Sequence, residues 1–309
     1  LPILDLQQGE RVNTDFDNLT HEYHRYTYVV EHCESDWTVS DGVFESDYLD
    51  GFYNGLTIDD YQESLNTAQL YTHYHLELPN DHLQLKMSGN YRVTVMDEND
   101  DNQPVLRAYF MVVDRKMSVG MDMFTDTDID LNHSHQQLNV KVNYNSVPVT
   151  DYGRQVKMFV MQNNRWETMR VAPRPQMTSR DGVQWQHCRD LIFPATNEYR
   201  KFEFLDIHRN SMGVDRTDFD GKDYHVWLYT DIPRPNYVYD ETPHGAFYIR
   251  NTDNIENDTQ SEYFVCHFTY KVDVPFDGDV YLDGQWTRES KAPQYRMEWD
   301  EVHTIVQYA

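Results

Sequence analysis

The sequence predicts an all-β protein, and three observations carry that prediction. Apolar and aromatic residues alternate with polar ones at a period of two, the bulky residues are those that suit a pleated surface, and no long run repeats apolar residues at helical spacing. The clearest run places Leu70, Thr72, Tyr74, Leu76 and Leu78 in one row and Tyr71, His73, His75 and Glu77 in the other, the pattern of a half-buried antiparallel strand.

The same alternation predicts strands over Glu22 to His32, Tyr91 to Met96, Leu106 to Val113, Leu138 to Tyr144, Val156 to Met161, Tyr199 to Ile207, Tyr224 to Tyr229 and Tyr263 to Tyr270. Between them Asp, Asn, Gly and Pro recur too often for helices of several turns, so a short helical piece is expected only around Asp59 to Leu65. Many short strands separated by turn signals indicate tandem immunoglobulin-like or fibronectin-type antiparallel β-sandwich domains. In Leu85-Lys86-Met87-Ser88-Gly89-Asn90-Tyr91 a Leu precedes a Tyr by six residues, with a Gly turn between and an alternating strand after. That is the pattern of a tyrosine corner, which gives Leu85 and Tyr91 structural roles.

The polar run Asp97 to Asn102 sits between two good strands and reads as a hairpin loop. Breaks at Asp114-Arg115-Lys116 and in the polar stretch Asn251 to Ser261 divide the chain into an N-terminal sandwich at 1–114, a second at 115–252 and a partial third at 253–309. The third is expected to be an incomplete, early-set-like sandwich. Its last strand pattern still runs at Thr304-Ile305-Val306-Gln307-Tyr308-Ala309, which predicts that the native chain continues. At the other end, Leu1-Pro2-Ile3-Leu4-Asp5 reads as a mature start from which an export signal has been removed.

Composition narrows function. With 52 acidic against 26 basic side chains in 309 residues, the net charge is −26, which opposes binding to nucleic-acid phosphates and anionic lipid surfaces. An aromatic content of 14% argues for packed cores over disorder. No apolar run is long enough to span a membrane as a helix. Cys33, Cys188 and Cys266 form no CxxC pair and are expected as buried free thiols.

Motifs for nucleophile elbows, phosphate loops, dinucleotide turns and zinc proteases are absent, so the sequence nominates no catalytic residue, no cofactor and no metal ligand. His73, His75 and Glu77 share a strand face and His133 flanks Ser134 with His135, but both sets read as solvated polar faces. Asp215-Arg216-Thr217-Asp218-Phe219-Asp220-Gly221 and Asp126-Thr127-Asp128-Ile129-Asp130 depart from calcium-loop spacing and read as Asp-rich turns. Val280-Tyr281-Leu282-Asp283-Gly284-Gln285-Trp286 is similar to the early strand of glycogen-binding-type sandwich modules. With Trp286 and Trp299 it supports an alternative reading, a glycan-binding β-sandwich protein of a polysaccharide-handling system.

A broader resemblance runs through His32-Cys33-Glu34-Ser35-Asp36-Trp37, Tyr48-Leu49-Asp50-Gly51-Phe52, Tyr71-Thr72-His73-Tyr74, Leu78-Pro79-Asn80, Leu85 to Val95, Phe110-Met111-Val112-Val113, Gln162-Asn163-Asn164-Arg165-Trp166 and Asp223-Tyr224-His225-Val226. In these, and in their order along nearly the whole chain, the sequence resembles the plug protein family of the type IX secretion system. The resemblance implies a non-catalytic periplasmic accessory protein at the inner face of the outer membrane. It would close the periplasmic opening of a translocon β-barrel when no substrate is passing, by protein-protein contact. No active-site residue, cofactor, nucleic acid or membrane insertion comes with it.

The stretch Ser35 to Thr67 interrupts two good strands and carries Trp37, Phe44, Tyr48, Phe52, Tyr53 and Tyr61. Connections of that length are usually functional, and aromatic side chains concentrate binding energy. Trp37, Tyr48 and Phe52 are therefore the candidate partner-binding residues. The competing expectation, preferred for Trp37, is that such rings fold back to cap the first sandwich.

Overall fold

The computed structural model describes residues 1–252, 256–272, 277–287 and 291–299, and the backbone of 304–308. The chain forms two compact units, Leu1–Arg115 with 256–263, and residues 116–252 with 264–308. Both are all-β.

The first unit contains β1 (Ile3–Asp5), β2 (Val12–Asn18), β3 (Tyr26–Cys33), β4 (Leu49–Gly51), β5 (Leu56–Thr57), β6 (Asp60–Glu63), β7 (Thr72–Leu78), β8 (Leu83–Leu85), β9 (Gly89–Asp97) and β10 (Gln103–Val113). They make a sheet of order β1-β10-β9-β3-β5, a second of order β2-β7-β6 and the pair β4-β8. Tyr28, Val30, Tyr91, Val93, Val95 and Phe110 of the first sheet share one core with Val12, Tyr74, Leu76 and Leu78 of the second, which makes the unit a sandwich. Each fully buried side chain of this size contributes roughly 1.5–3 kcal/mol relative to exposure.

Tyrosine can fill such a core only when its hydroxyl finds a partner. Tyr28 accepts from Asn80 Nδ2 at 2.9 Å, Tyr74 donates to the His24 carbonyl at 3.0 Å, and Tyr91 donates to the Met87 carbonyl at 2.6 Å. The Tyr91 ring stacks on Phe110, its register partner on β10, at 5.3 Å, and Leu85 packs at the margin of the same core. The turn that aims Tyr91 inward needs Gly89, whose φ is +153° and whose missing side chain leaves room for the His32 imidazole.

Two expectations change here. Asp59 to Leu65 contains no helix: β6 pairs antiparallel with β7, and Tyr61 stacks on its register partner Tyr74 at 5.7 Å, so a cross-strand contact overrides the local pattern. The row Tyr71, His73, His75 and Glu77 is not a uniformly solvated face, because Tyr71 and His73 are buried. What covers them is the segment 256–263, part of the polar stretch where the sequence places its second boundary. Thr259 O accepts from Leu65 N at 2.9 Å, Ser261 O from Tyr71 Oη at 3.0 Å, and the Tyr263 hydroxyl donates to Asp17 Oδ2 at 2.6 Å.

The second unit contains β11 (Ser118–Phe124), β12 (His135–Asn143), β13 (Phe159–Val160), β14 (Arg170–Val171), β15 (Met177–Thr178), β16 (Gly182–Trp185), β17 (Ile192–Pro194), β18 (Val214–Phe219), β19 (Tyr224–Leu228), β20 (Phe264–Lys271), β21 (Glu298–Trp299) and β22 (Thr304–Tyr308). One sheet runs β11-β12-β16-β15 with β17 also on β12, another runs β18-β19-β20-β22-β21, and β13 pairs β14. Leu138, Val140, Val142, Val183, Trp185, Leu191 and Phe193 form the core of the first of these sheets. Among the described residues β1 pairs parallel with β10 and β19 with β20, Asp231 bridges parallel to Tyr270, and the other strand pairings are antiparallel.

Three expected strands fall short. Val156 to Met161 pairs only over β13, and Tyr199 to Ile207 forms no strand despite its alternation. In Val280 to Trp286 only Tyr281 makes a bridge, to Arg296, before the turn Gln285–Thr287. Alternation marks a residue that could sit in a sheet, but a strand also needs a neighbour, and these segments have little or none.

Candidate functional site

The connection between β3 and β7 is not one irregular loop. It is shaped by a helical turn at Glu45–Tyr48, closed by Asp47, whose Oδ2 accepts from Phe44 N at 3.0 Å, and then by β4, β5 and β6, each paired to a different strand of the sandwich. This alternation of paired pieces sorts its aromatic residues. Tyr48 is 6% exposed, in the core beside Tyr91 and His32. Trp37 is half-buried with its ring edge-on to Tyr109 at 5.4 Å. Phe52 is 65% exposed, its backbone N–H held by the His82 carbonyl at 2.9 Å. Gly51, with φ +111°, makes that possible, because a side chain there would meet the His82 carbonyl. Phe44 is exposed as well. Of the three candidate residues, Phe52 alone presents an open ring, and burial removes Tyr48 from any docking face.

A second surface lies in the other unit, in the segment from Tyr229 to Thr252. Asp231 bridges to Tyr270 on β20, but beyond it Pro233, Pro235 and Pro243 withhold backbone donors and fix φ, and the segment forms no strand. It is fixed instead by polar anchors from the stretch beside it. Asn197 Oδ1 accepts from Val238 N at 2.9 Å, Lys201 Nζ reaches Asp240 at 2.6 Å, Arg250 pairs with Glu203, and Leu205 O accepts from Thr252 N at 2.9 Å. Because these anchors hold backbone and charges, the rings are left outside: Tyr239 is 77% and Tyr248 81% exposed, with Tyr237 and Phe247 also open. The sequence reading passed over these residues. The available signal was aromatic residues spaced among prolines with no alternation around them.

The remaining sequence candidates are occupied internally. His73 Nδ1 meets Asp17 at 2.7 Å and His75 Nδ1 meets Asp15 at 2.5 Å. Asp130 faces His135 Nδ1 at 2.7 Å and accepts from Ser134, and these bonds hold its carboxyl far below the usual range. Asp220 accepts from the backbone of Asp223 and Lys222 and faces His225, which lowers it to about 2. Among the described residues no three His, Cys, Asp or Glu side chains converge on a metal position. The three cysteines are buried free thiols. Trp286 lies against Gly284 at the turn, and Trp299 ends β21. No helix of the described residues is long and apolar enough to cross a membrane.

Residues 1–114 match the family model described as the type 9 secretion system plug protein 1st domain. A crystal structure of a hypothetical protein from Parabacteroides merdae superposes on the chain with a TM-score of 0.94, at 36% identity over 100% of this chain and 78% of that one. Through its first 114 residues the chain belongs to the type 9 secretion system plug protein family. No curated protein matches it. Membership gives it an accessory role in secretion. The plug family's first-domain match contains Trp37, Tyr48, Phe52, Leu85 and Tyr91, whereas the exposed aromatic segment from Tyr229 to Thr252 lies outside that match.

Proposed function

We propose that the chain plugs the periplasmic opening of an outer-membrane protein-secretion translocon, by protein-protein contact and without catalysis. In this reading it works in the periplasm, at the inner face of the outer membrane, its partner is the translocon β-barrel, and its first sandwich spans 1–114. Leu85 and Tyr91 then serve as the tyrosine corner of the first. The observation that carries the proposal is the set of exposed rings held on fixed backbone: Phe44 and Phe52 in the first unit, Tyr237, Tyr239, Phe247 and Tyr248 in the second. Rigid, solvent-facing aromatic residues on a sandwich scaffold supply docking energy at low entropic cost. A net charge of −26 speeds approach to a basic barrel rim. A sugar-binding platform would instead place a row of aromatic rings along one sheet face, and these rings stand on irregular backbone.

The test is recovery of tagged chain from native cell envelopes. Wild type should bring down the translocon barrel, and a Phe52→Ala, Tyr239→Ala, Tyr248→Ala variant of unchanged melting temperature should not. Recovery of the barrel equally by both, or by neither, would refute the docking role of these rings.

A further inference from the structure

β11 is an edge strand unlike the others of this molecule. Its partner is β12, and among the described residues no strand pairs along its other edge. Register places Val119 opposite Val142, Met121 opposite Val140 and Met123 opposite Leu138, so these three continue the row whose β12 members are buried in the core. Yet Val119 is 68%, Met121 64% and Met123 63% exposed. The apolar face of the sheet thus runs past its own covering and ends in an open row.

The other edges are guarded in the ways that prevent unwanted pairing. β1, β5, β15 and β21 are only two or three residues long. β2 carries Asp15 and Asp17, and β6 carries Asp60 and Glu63. β18 has Asp215, Arg216 and Asp218 and an irregular register between Val214 and Arg216. By contrast β11 is seven residues long, in unbroken register, with Asp122 its single charge. An unguarded edge of this kind accepts a strand.

We propose that β11 is a strand-accepting edge for an extended segment of a partner protein, apolar at every second position and carrying Lys or Arg between. The apolar positions would cover Val119, Met121 and Met123. The basic ones answer the charge on the outer face and beyond the strand end, where Asp122 and Asp126 are exposed, with Lys141 the one Lys or Arg on the adjoining strand. The same charge speaks against a second copy of this chain as the occupant, since each copy brings −26. The proposal stands apart from the docking of the aromatic segments and does not need the translocon as partner.

The probe is a synthetic peptide alternating valine and lysine, titrated into the intact chain at low salt, with a valine-glutamate peptide as control. The lysine peptide should bind and slow amide exchange within residues 118–124, the signature of backbone pairing. Met121→Lys should weaken binding at least ~10-fold, the size of one interface hot contact, while Met121→Leu retains it and both variants melt like wild type. Equal binding of the two peptides, binding unaffected by Met121→Lys, or binding without slowed exchange at 118–124 would each overturn the proposal. So would a concentration-dependent dimer that Met121→Lys dissolves, because the occupant would then be a second copy.

Discussion

The connection between β3 and β7 and the segment from Tyr229 to Thr252 are both long, both rich in aromatic residues, and opposite in what they do with them. In the first, Tyr48 is in the core, Trp37 is half-covered, and Tyr61 lies on Tyr74. In the second, Tyr237, Tyr239, Phe247 and Tyr248 all face solvent. The difference follows from how each backbone is satisfied. Pieces that pair with a sheet bring side chains against it, so the first connection puts Tyr48 in the core and rests Trp37 and Tyr61 on neighbouring rings, while Phe44 and Phe52 stay open. The second pairs with a strand only at Asp231, ahead of its prolines, and ion pairs at Lys201 and Arg250 hold the rest without drawing Tyr237, Tyr239, Phe247 or Tyr248 inside. Aromatic rings of a long connection are therefore left open together where the backbone is held mainly by something other than a sheet.

The largest effect that tests this contrast is on stability. Replacing Tyr48 with Ala removes a buried ring that meets Tyr91 edge-on at 6.1 Å, and should cost about 3–5 kcal/mol. Replacing Phe52 with Ala should stay within ~0.5 kcal/mol, as for other exposed sites. Thermal unfolding of the two variants side by side is the measurement; similar losses would mean that the first connection is not sorted as described. Next in size is the opposite experiment in the second segment. Tyr239→Ala with Tyr248→Ala should leave the melting temperature in place and weaken association with the barrel by about 2 kcal/mol, the range of interface hot spots. A drop in melting temperature instead would show that these rings stabilise the fold.

A finer test keeps a buried ring and removes only its polar tip. Tyr91→Phe deletes the bond to the Met87 carbonyl and leaves the stack on Phe110 in place. The expected loss is about 1–1.5 kcal/mol, the net value of one hydrogen bond with a carbonyl left short of a partner. Denaturant midpoints at unchanged slope would report it, and a neutral result would mean that the ring alone holds the corner.

Much of the sheet structure was legible because long alternating runs find partners almost wherever they lie: β7 and β19 fall within predicted segments, and β9, β10, β12 and β20 overlap theirs and run past the ends. What failed was information that is not local. The four residues of β6 carry no alternation and are strand only because β7 is beside them. Tyr199 to Ile207 alternates well, yet among the described residues it pairs with no strand and meets β20 through rings, Phe202 on Phe268 and Phe204 on Phe264. Tyr48 and Phe52 are the same kind of residue in one short stretch, and the helical turn and Gly51 between them decide which ring goes inside. The sequence sets Trp37 apart as the better candidate for a cap but does not separate Tyr48 from Phe52; along the chain path, only Phe52 is open.

The smallest effect concerns the segment 256–263 and the row it covers. His73 on β7 is raised above its ordinary value near 6.5, first by the hydrogen bond it donates to Asp17 and against the opposing effect of burial, with Asp258 and Asp15 adding to the rise. Tyr263 donates to the same Asp17 carboxylate, and burial together with that contact raises its hydroxyl strongly, so it keeps its proton and remains a donor across the neutral range. The folded state therefore binds a proton at His73 more tightly than the unfolded chain. The stabilisation from this pair is complete below the ordinary histidine value and fades as pH rises through the raised one. Other histidines, His24 beside Asp97 and His75 beside Asp15, lie in the same unit. The informative quantity is accordingly the difference between wild type and His73→Gln in thermal unfolding at a series of pH values. That difference should be largest in mildly acidic solution and shrink toward alkaline pH. A difference that grows with pH would mean that His73 is buried as the neutral imidazole, and that the contact between Tyr263 and Asp17, not the ion pair, holds the segment on the sheet.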